Sequence, residues 1–132
     1  MPTTKDLLNN STVKALLCCR DRYPESATGG TTVDLAGIGR KVLVIVDSCY
    51  CAATTTLSVI VQESATDSFG VGGVTLHTFT TLDMVAGTAQ LAVADLAPNE
   101  RYIRVVATVG TASLSFSVLG VIYLERERPS GL

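Results

Sequence analysis

The stretch ASLSFSVLGVIYLE, residues 112–125, decides the fold class of this chain. Its apolar residues Leu114, Phe116 and Val118 alternate with three serines. A period of two residues places successive side chains on opposite faces of a β-strand, whereas a helix needs apolar residues three and four positions apart. The stretch therefore predicts a strand with one face in a hydrophobic core.

Six earlier runs have the same strand character, and short segments rich in Gly, Asp, Asn, Pro and Ser separate them. The runs are TTVDLA (31–36), KVLVIVDS (41–48), TLSVIVQE (56–63), VTLHTFTT (74–81), AQLAVADL (89–96) and NERYIRVVATVG (99–110). Connections this short favour antiparallel pairing, because parallel strands need long crossover segments. We therefore predict an all-β fold, an antiparallel, jelly-roll-like β-sandwich of about eight strands. The predicted inward residues are Leu57, Val59, Val61, Ile103, Val105, Leu114, Phe116 and Val118.

The N-terminal segment is set apart from these runs by the linker YPESATGG. We predict an N-terminal arm and linker over residues 1–28, a β-sandwich domain over 29–125 and a polar C-terminal tail over 126–132. The arm holds more large apolar side chains than a free tail would, so we expect it to dock on another protein surface. The candidate contact residues are Leu7, Leu8, Val13, Leu16 and Leu17.

The conformation of this arm has two readings. A helix capped by Ser11 and an extended strand both fit the pattern, and Thr12 and Val13 favour the strand because β-branched residues disfavour a helix. As a strand, the arm would place alternate residues on one side, namely Val13, Ala15, Leu17 and Cys19.

Composition argues against several classes of partner. The chain of 132 residues has a formal net charge of −2, so it lacks the basic surface that nucleic acid requires. Its longest apolar run, VLVIV (42–46), is far shorter than the ~20 residues of a membrane-spanning helix. Lys5 and Asp6 precede a broken apolar stretch, which is not the pattern of a secretory signal. We expect no nucleic acid and no membrane as partners, and synthesis in a cytoplasm.

Catalysis and sugar binding find little support in the residue types. His77 is the single histidine, whereas a metal-dependent jelly-roll enzyme normally uses several and a catalytic triad needs a nucleophile and an acid beside it. The chain has no tryptophan, and aromatic residues make up 5% of it, which argues against stacking on a sugar ring. We expect that the protein is not an enzyme and binds no cofactor.

The cysteines form two close pairs, Cys18-Cys19 and Cys49-Tyr50-Cys51. Structural zinc sites usually have two to four residues between paired cysteines, so this spacing is a weak signal for a metal. Free buried thiols are the expected state, with a disulfide between the pairs and a zinc site as open alternatives.

Two further stretches predict turns. GIGRK (37–41) lacks the spacing and the following helix of a phosphate-binding loop, so it predicts a glycine turn. QESATDSFG (62–70) contains Glu63 and Asp67 but too few closely spaced oxygen ligands for calcium. It predicts a turn in which Asp67 and Ser68 stabilise the backbone.

Several stretches, taken in order, resemble a family of small head proteins of tailed bacteriophages, of the capsid decoration or cement type. They are TTVDLAGIGRKVLVIVDS (31–48), LSVIVQESATDSF (57–69), NERYIRVVATVG (99–110), the last strand with the tail LERERP (124–129), and the opening DLLNNSTV (6–13). The resemblance covers the chain from about Asp6 to Pro129. The paired cysteines and the short loop after Cys51 depart from the family pattern.

The resemblance implies a jelly-roll or related β-sandwich that binds the outer capsid surface and stabilises, or cements, the shell. Its implied partners are the major capsid protein and itself, as a dimer or trimer. Its implied location is the virion, after synthesis in the host bacterial cytoplasm. A structural β domain of a tail, spike base or fibre is an alternative, and a soluble ligand-binding β-sandwich is a further one.

Overall fold

The computed structural model describes residues 11–17, 27–48, 53–69, 73–110 and 114–123, and these residues form strands, turns and loops without a helix. The strands are β1 (Ser11–Leu17), β2 (Ala27–Gly29), β3 (Val33–Asp34), β4 (Lys41–Ser48), β5 (Thr55–Ser64), β6 (Val74–Thr78), β7 (Leu82–Met84), β8 (Leu91–Leu96), β9 (Tyr102–Val109) and β10 (Phe116–Tyr123).

The strands form two antiparallel sheets. The first sheet has the order β1-β10-β4-β8, and the second has the order β2-β9-β5-β6, with β3 also paired to β9 and β7 also paired to β5. If β2 and β3 are taken as halves of one strand, and β6 and β7 as halves of another, the ten strands reduce to eight. The first of these then pairs with the eighth, the second with the seventh, the third with the sixth and the fourth with the fifth. This is a long hairpin rolled into a jelly roll, so the predicted fold class is confirmed.

The core lies between the two sheets and follows the alternation of the sequence. In β10, Phe116, Val118 and Ile122 are fully buried, whereas Ser117, Leu119 and Val121 are partly exposed. β4 repeats the pattern with Val42, Val44 and Val46. All eight predicted inward residues are buried, each at 2% exposure or less. Full burial of an aliphatic or phenyl side chain contributes about 1.5–3 kcal/mol.

The predicted boundary at residue 28 does not hold, because the segment before it belongs to the sandwich. β1 is the edge strand of the first sheet and pairs with β10 from Ser11 opposite Tyr123 to Leu17 opposite Val118. β2, which lies within the predicted linker, pairs with β9. The described part of the arm is extended, as favoured, but it adds a strand to its own subunit.

Two leucines of β1 enter the core because the pairing is irregular there. The register shifts between Ala15 and Leu17, and Leu16 and Leu17 are both buried. An irregularity of this kind breaks the alternation of a strand, so the predicted grouping of Leu17 with Val13 on one side is wrong. Gly120 of β10 provides the room, because an added Cβ there would meet the Leu16 side chain at 3.1 Å.

The chain that follows β2 is also bound to β1. The backbone N–H of Gly30 donates to the Val105 carbonyl at 2.7 Å, and that of Thr31 donates to the Leu16 carbonyl at 2.9 Å. A side chain at Gly30 would overlap the Leu16 carbonyl, so this close approach requires glycine. These bonds fasten the edge strand to the second sheet.

The turn after β5 forms as predicted, but with different side chains. The N–H of Thr66 donates to Ser64 Oγ at 3.2 Å, and Thr66 Oγ1 donates to the Ser68 carbonyl at 3.1 Å. Asp67 and Ser68 were the predicted side chains. Ser64 and Thr66 fill this role instead, because hydroxyl groups can both donate and accept within a tight turn.

Candidate docking face

The outer face of the first sheet carries a continuous apolar surface. In its four strands the outward residues are largely apolar, like the inward ones. We call the following residues the apolar face: Val13 and Ala15 of β1, Leu119 and Val121 of β10, Leu43 and Ile45 of β4, and Leu91 and Val93 of β8. Three of them are highly exposed for such side chains, Val13 at 63%, Leu91 at 64% and Val93 at 53%.

The strand register places these residues side by side in rows across the sheet. One row contains Val13, Val121 and Leu43, and the next contains Ala15, Leu119, Ile45 and Val93. Opposed residues in an antiparallel pair have Cβ atoms about 4.5–5.5 Å apart, so the rows form one patch. With strands about 4.8 Å apart, the patch covers roughly 300 Å² of flat sheet. Apolar patches of this size on soluble proteins are often contact sites.

Charged and polar side chains lie at the ends of this patch. Lys41 and Asp47 are the first and last outward residues of β4, so opposite charges flank its two apolar residues. The Tyr123 hydroxyl donates to the Asp95 carboxylate at 2.9 Å. Because Tyr123 is in β10 and Asp95 is in β8, this bond reaches across β4.

The outer face of the second sheet is different in chemistry. We call the following residues the polar face: Tyr102, Arg104, Val106 and Thr108 of β9, Ser58, Ile60 and Gln62 of β5, and Thr75 and Thr78 of β6. Arg104 Nε donates to Gln62 Oε1 at 2.8 Å, and its guanidinium lies 4.6 Å from the centre of the Phe69 ring. Ser58 and Thr81 share a hydroxyl–hydroxyl bond of 3.2 Å. Three polar side chains of this face, those of Arg104, Gln62 and Ser58, therefore have partners within the subunit.

The five predicted contact residues fall into three groups. Leu7 and Leu8 lie outside the described residues, and their role stays a prediction. Val13 is exposed and belongs to the apolar face. Leu16 and Leu17 are buried in the core of their own subunit, so they are not surface contacts in this structure.

A shallow groove of about 580 Å³ lies at one end of the sandwich, where the β3–β4 turn faces the β8–β9 turn. Arg101 joins the two turns through a bidentate ion pair with Asp34, with N–O distances of 2.9 and 2.8 Å. These bonds, followed by the N–H of Ala36, lower the pKa of Asp34 to about 2. Gly37 has a φ of 75°, in the left-handed region, so the predicted glycine turn is confirmed.

Glu63 fixes the β8–β9 turn from inside the sandwich. The residue is buried near the end of β5, and its Oε2 accepts the backbone N–H groups of Asn99 at 2.8 Å and Glu100 at 3.3 Å. Hydrogen bonds to a carboxylate are roughly twice as strong as neutral ones. The sequence raised Glu63, together with Asp67, only as a calcium ligand, and the structure gives Glu63 this separate structural role.

The remaining candidates for a catalytic or metal-binding role are His77, the acidic residues and the cysteines. His77 is in β6, and its ring meets Phe79 edge to face with centroids 4.8 Å apart. Within the described ranges, no three His, Cys, Asp or Glu side chains are grouped in a way that could hold a metal ion. The four cysteines lie outside these ranges. The described residues form no helix of the length and apolarity needed to span a membrane.

Comparison with known proteins shows similarity in fold. No protein-family model matches the chain, and no curated protein matches it. The crystal structure of the PBSX exported protein XepA is similar with a TM-score of 0.60 and 18% identity, over 99% of this chain and 43% of that one. The structure of infectious bursal disease virus, Gx strain, is similar with a TM-score of 0.55 and 10% identity, over 86% of this chain and 33% of that one. This chain thus spans less than half the length of either.

The sequence contains a partial sign of the apolar face. In KVLVIVDS the residues at odd and at even positions are both largely apolar, and Leu91 and Val93 share one face of AQLAVADL. A run that is apolar on both faces indicates cover on both sides. The pattern does not say which strands are neighbours, and only the register unites these residues in one patch.

Proposed function

We propose that this protein is a structural virion component that binds the outer surface of a bacteriophage capsid and stabilises the shell. The observation that carries the proposal is the apolar face, an exposed apolar surface suited to protein contact on a jelly roll whose opposite outer face is polar. The resemblance of the sequence to capsid decoration proteins supports the choice of partner, the major capsid protein. The fold similarity to a PBSX protein and to a virus is in keeping with it.

In the proposed role the protein acts by binding energy and performs no chemical step. A ligand that binds the assembled shell, and not its separated subunits, stabilises assembly by mass action. Leu7 and Leu8 remain the proposed shell contacts from the N-terminal arm. They lie just ahead of β1, whose buried Leu16 and Leu17 anchor this part of the chain to the sandwich.

The test is to mix the purified protein with intact heads of the encoding phage that lack it, and to separate them on a density gradient. We expect saturable co-sedimentation and a rise in the temperature at which the heads release DNA. If saturating protein neither co-sediments nor changes that temperature, the proposal is wrong.

A matched pair of variants tests the proposed shell contacts. The double substitution Leu7→Asp and Leu8→Asp should weaken binding to heads by at least about tenfold, because two large apolar side chains are lost from the contact. The control is Asn9→Asp with Asn10→Asp, which adds the same charge to the same segment and should bind as the wild type does. Both variants keep β1 intact. Equal binding by both would remove Leu7 and Leu8 from the contact.

A second candidate function is that of an exported protein that acts apart from the particle. The fold similarity over 99% of this chain to XepA, which is described as exported, favours it. Quantifying the protein in the particle band and in the particle-free fraction of a lysate separates the two candidates. The first predicts enrichment in the band, and the second predicts that the protein stays free.

A further inference from the structure

The outward residues of β4 have an arrangement that matches itself when turned end for end. Along this strand, the outward positions are Lys41, Leu43, Ile45 and Asp47, with one charge at each end and two apolar residues between them. Reversal exchanges Lys41 with Asp47 and Leu43 with Ile45. Each apolar residue then faces an apolar one, and each charge faces the opposite charge.

The strands β10 and β1 keep the same match, whereas on β8 the reversal places Val93 opposite Asp95 of the other copy. On β10 the outward order is Tyr123, Val121, Leu119 and Ser117, so reversal again places apolar against apolar and polar against polar. On β1, Val13 exchanges with Ala15. A two-fold axis lying in the plane of contact, perpendicular to the strands, performs this reversal on all four strands together.

We propose that the apolar face binds the same face of a second copy of this chain, with the two β4 strands antiparallel and Lys41 of each copy opposite Asp47 of the other. Such a contact is isologous, because the same patch serves both subunits. It also forms the ordinary face-to-face packing of two sheets, whose strand directions stay within about 30° of each other.

The area of the apolar face sets the expected affinity of the dimer. Four strands about 4.8 Å apart, with four outward positions on β4 and β10 and three on β1 and β8, give roughly 450 Å² of flat surface per copy. Two copies would bury about 900 Å², an area typical of weak, transient complexes. The dimer should therefore dissociate in dilute solution and be favoured where copies are concentrated, as on a shell. The inference rests on the proposed function: it assigns the apolar face to the contact between copies and leaves the contact with the shell to Leu7 and Leu8.

The experiment is sedimentation velocity of the full chain over a wide concentration range. We expect a reversible change from the mass of one chain, 13.8 kDa, to twice that value. Ile45→Asp, at the centre of the apolar face, should weaken the dimer by at least about thirtyfold, because it sets carboxylates against apolar side chains. Ile60→Asp is the matched control, since Ile60 is equally a half-buried isoleucine of a central strand but lies on the polar face. It should leave the dimer unchanged.

Charge exchange tests the orientation. Lys41→Asp alone and Asp47→Lys alone should each weaken the dimer by about fivefold, because each sets like charges together at both ends of the contact. The double variant should restore the affinity to within about twofold of wild type. Circular dichroism melting of each variant verifies that it is folded.

The outcomes are separable. A wild type that is monomeric throughout, or a dimer that survives Ile45→Asp, overturns the inference. A double variant that fails to recover overturns the antiparallel orientation. A monomer that still binds phage heads rejects the dimer and keeps the proposed function, whereas a dimer that does not bind heads rejects the proposed function and keeps the dimer.

Discussion

The two outer faces of this sandwich lie on equally regular sheets but have opposite chemistry. On the polar face, Arg104 is bound to Gln62 and covers the Phe69 ring, so polar side chains find partners within the subunit. On the apolar face, Val13 and Val93 are exposed without such cover from the described residues. Contacts within the subunit thus account for the inner faces and for part of the polar face, whereas no described residue covers Val13 and Val93 on the apolar face.

The largest effect should separate inner from outer residues on a single strand. Phe116 and Leu119 are both in β10, but the first is fully buried in the core and the second is on the apolar face. Phe116→Ala should lower the free energy of unfolding by about 3–5 kcal/mol. Leu119→Ala should lower it by about 1 kcal/mol or less, because part of that side chain is already in water. Urea unfolding of the dilute protein measures both, and similar losses would contradict the assignment of faces.

A smaller loss of stability should follow from removal of the buried carboxylate of Glu63 in β5. Glu63→Ala leaves the N–H groups of Asn99 and Glu100 without their acceptor. We expect a loss of about 1.5–3 kcal/mol, as for a hydrogen bond to a charged group. Glu100→Ala is the control, since the Glu100 side chain is exposed and only its backbone N–H bonds to Glu63. If thermal melting shows equal losses of stability for both variants, the hydrogen bonds of Glu63 do not stabilise the turn.

A third effect tests the contribution of the Arg104 contacts on the polar face. Arg104→Ala removes the bond to Gln62 and the contact with Phe69, and should cost about 1 kcal/mol. It should leave the proposed dimer unaffected, because Arg104 lies on the sheet opposite to the apolar face. A change in association on sedimentation would show that the polar face also contributes to the contact between copies.

The smallest effect concerns pH and the ion pair at the end of the sandwich. Because Arg101 lowers the pKa of Asp34 from 3.8 to about 2, the folded state favours the charged carboxylate more than the unfolded state does. The resulting stability is present above about pH 4 and is lost as the pH falls towards 2. Asp34→Asn should therefore melt slightly below wild type at pH 6, with the gap closing near pH 2. A gap that is constant with pH would exclude this linkage.

The strands and their inward faces were predictable because they depend on local alternation. The serine spacing at the start of ASLSFSVLGVIYLE assigns Leu114, Phe116 and Val118 to the core, and each is buried. Turn residues mark where strands end, so the sandwich class also follows from local chemistry.

The role of the N-terminal segment was not predictable in the same way. Its apolar residues suggested an arm that leaves the subunit, but Leu16 instead fills a space above Gly120, about a hundred residues further along the chain. No local pattern reports that space, because it exists only when β1 lies beside β10. The bulge that turns both Leu16 and Leu17 inward likewise follows from pairing and not from periodicity.

The sequence by itself determined which residues form strands and which side of most strands is buried, since both depend on neighbours two positions away. The tertiary structure alone decided the order of the strands. That order places Val13, Val121, Leu43 and Val93 together on one outer face, although they come from four separate parts of the chain. The physical reason is that a surface is made by the register between strands, and register is fixed by packing across the whole core.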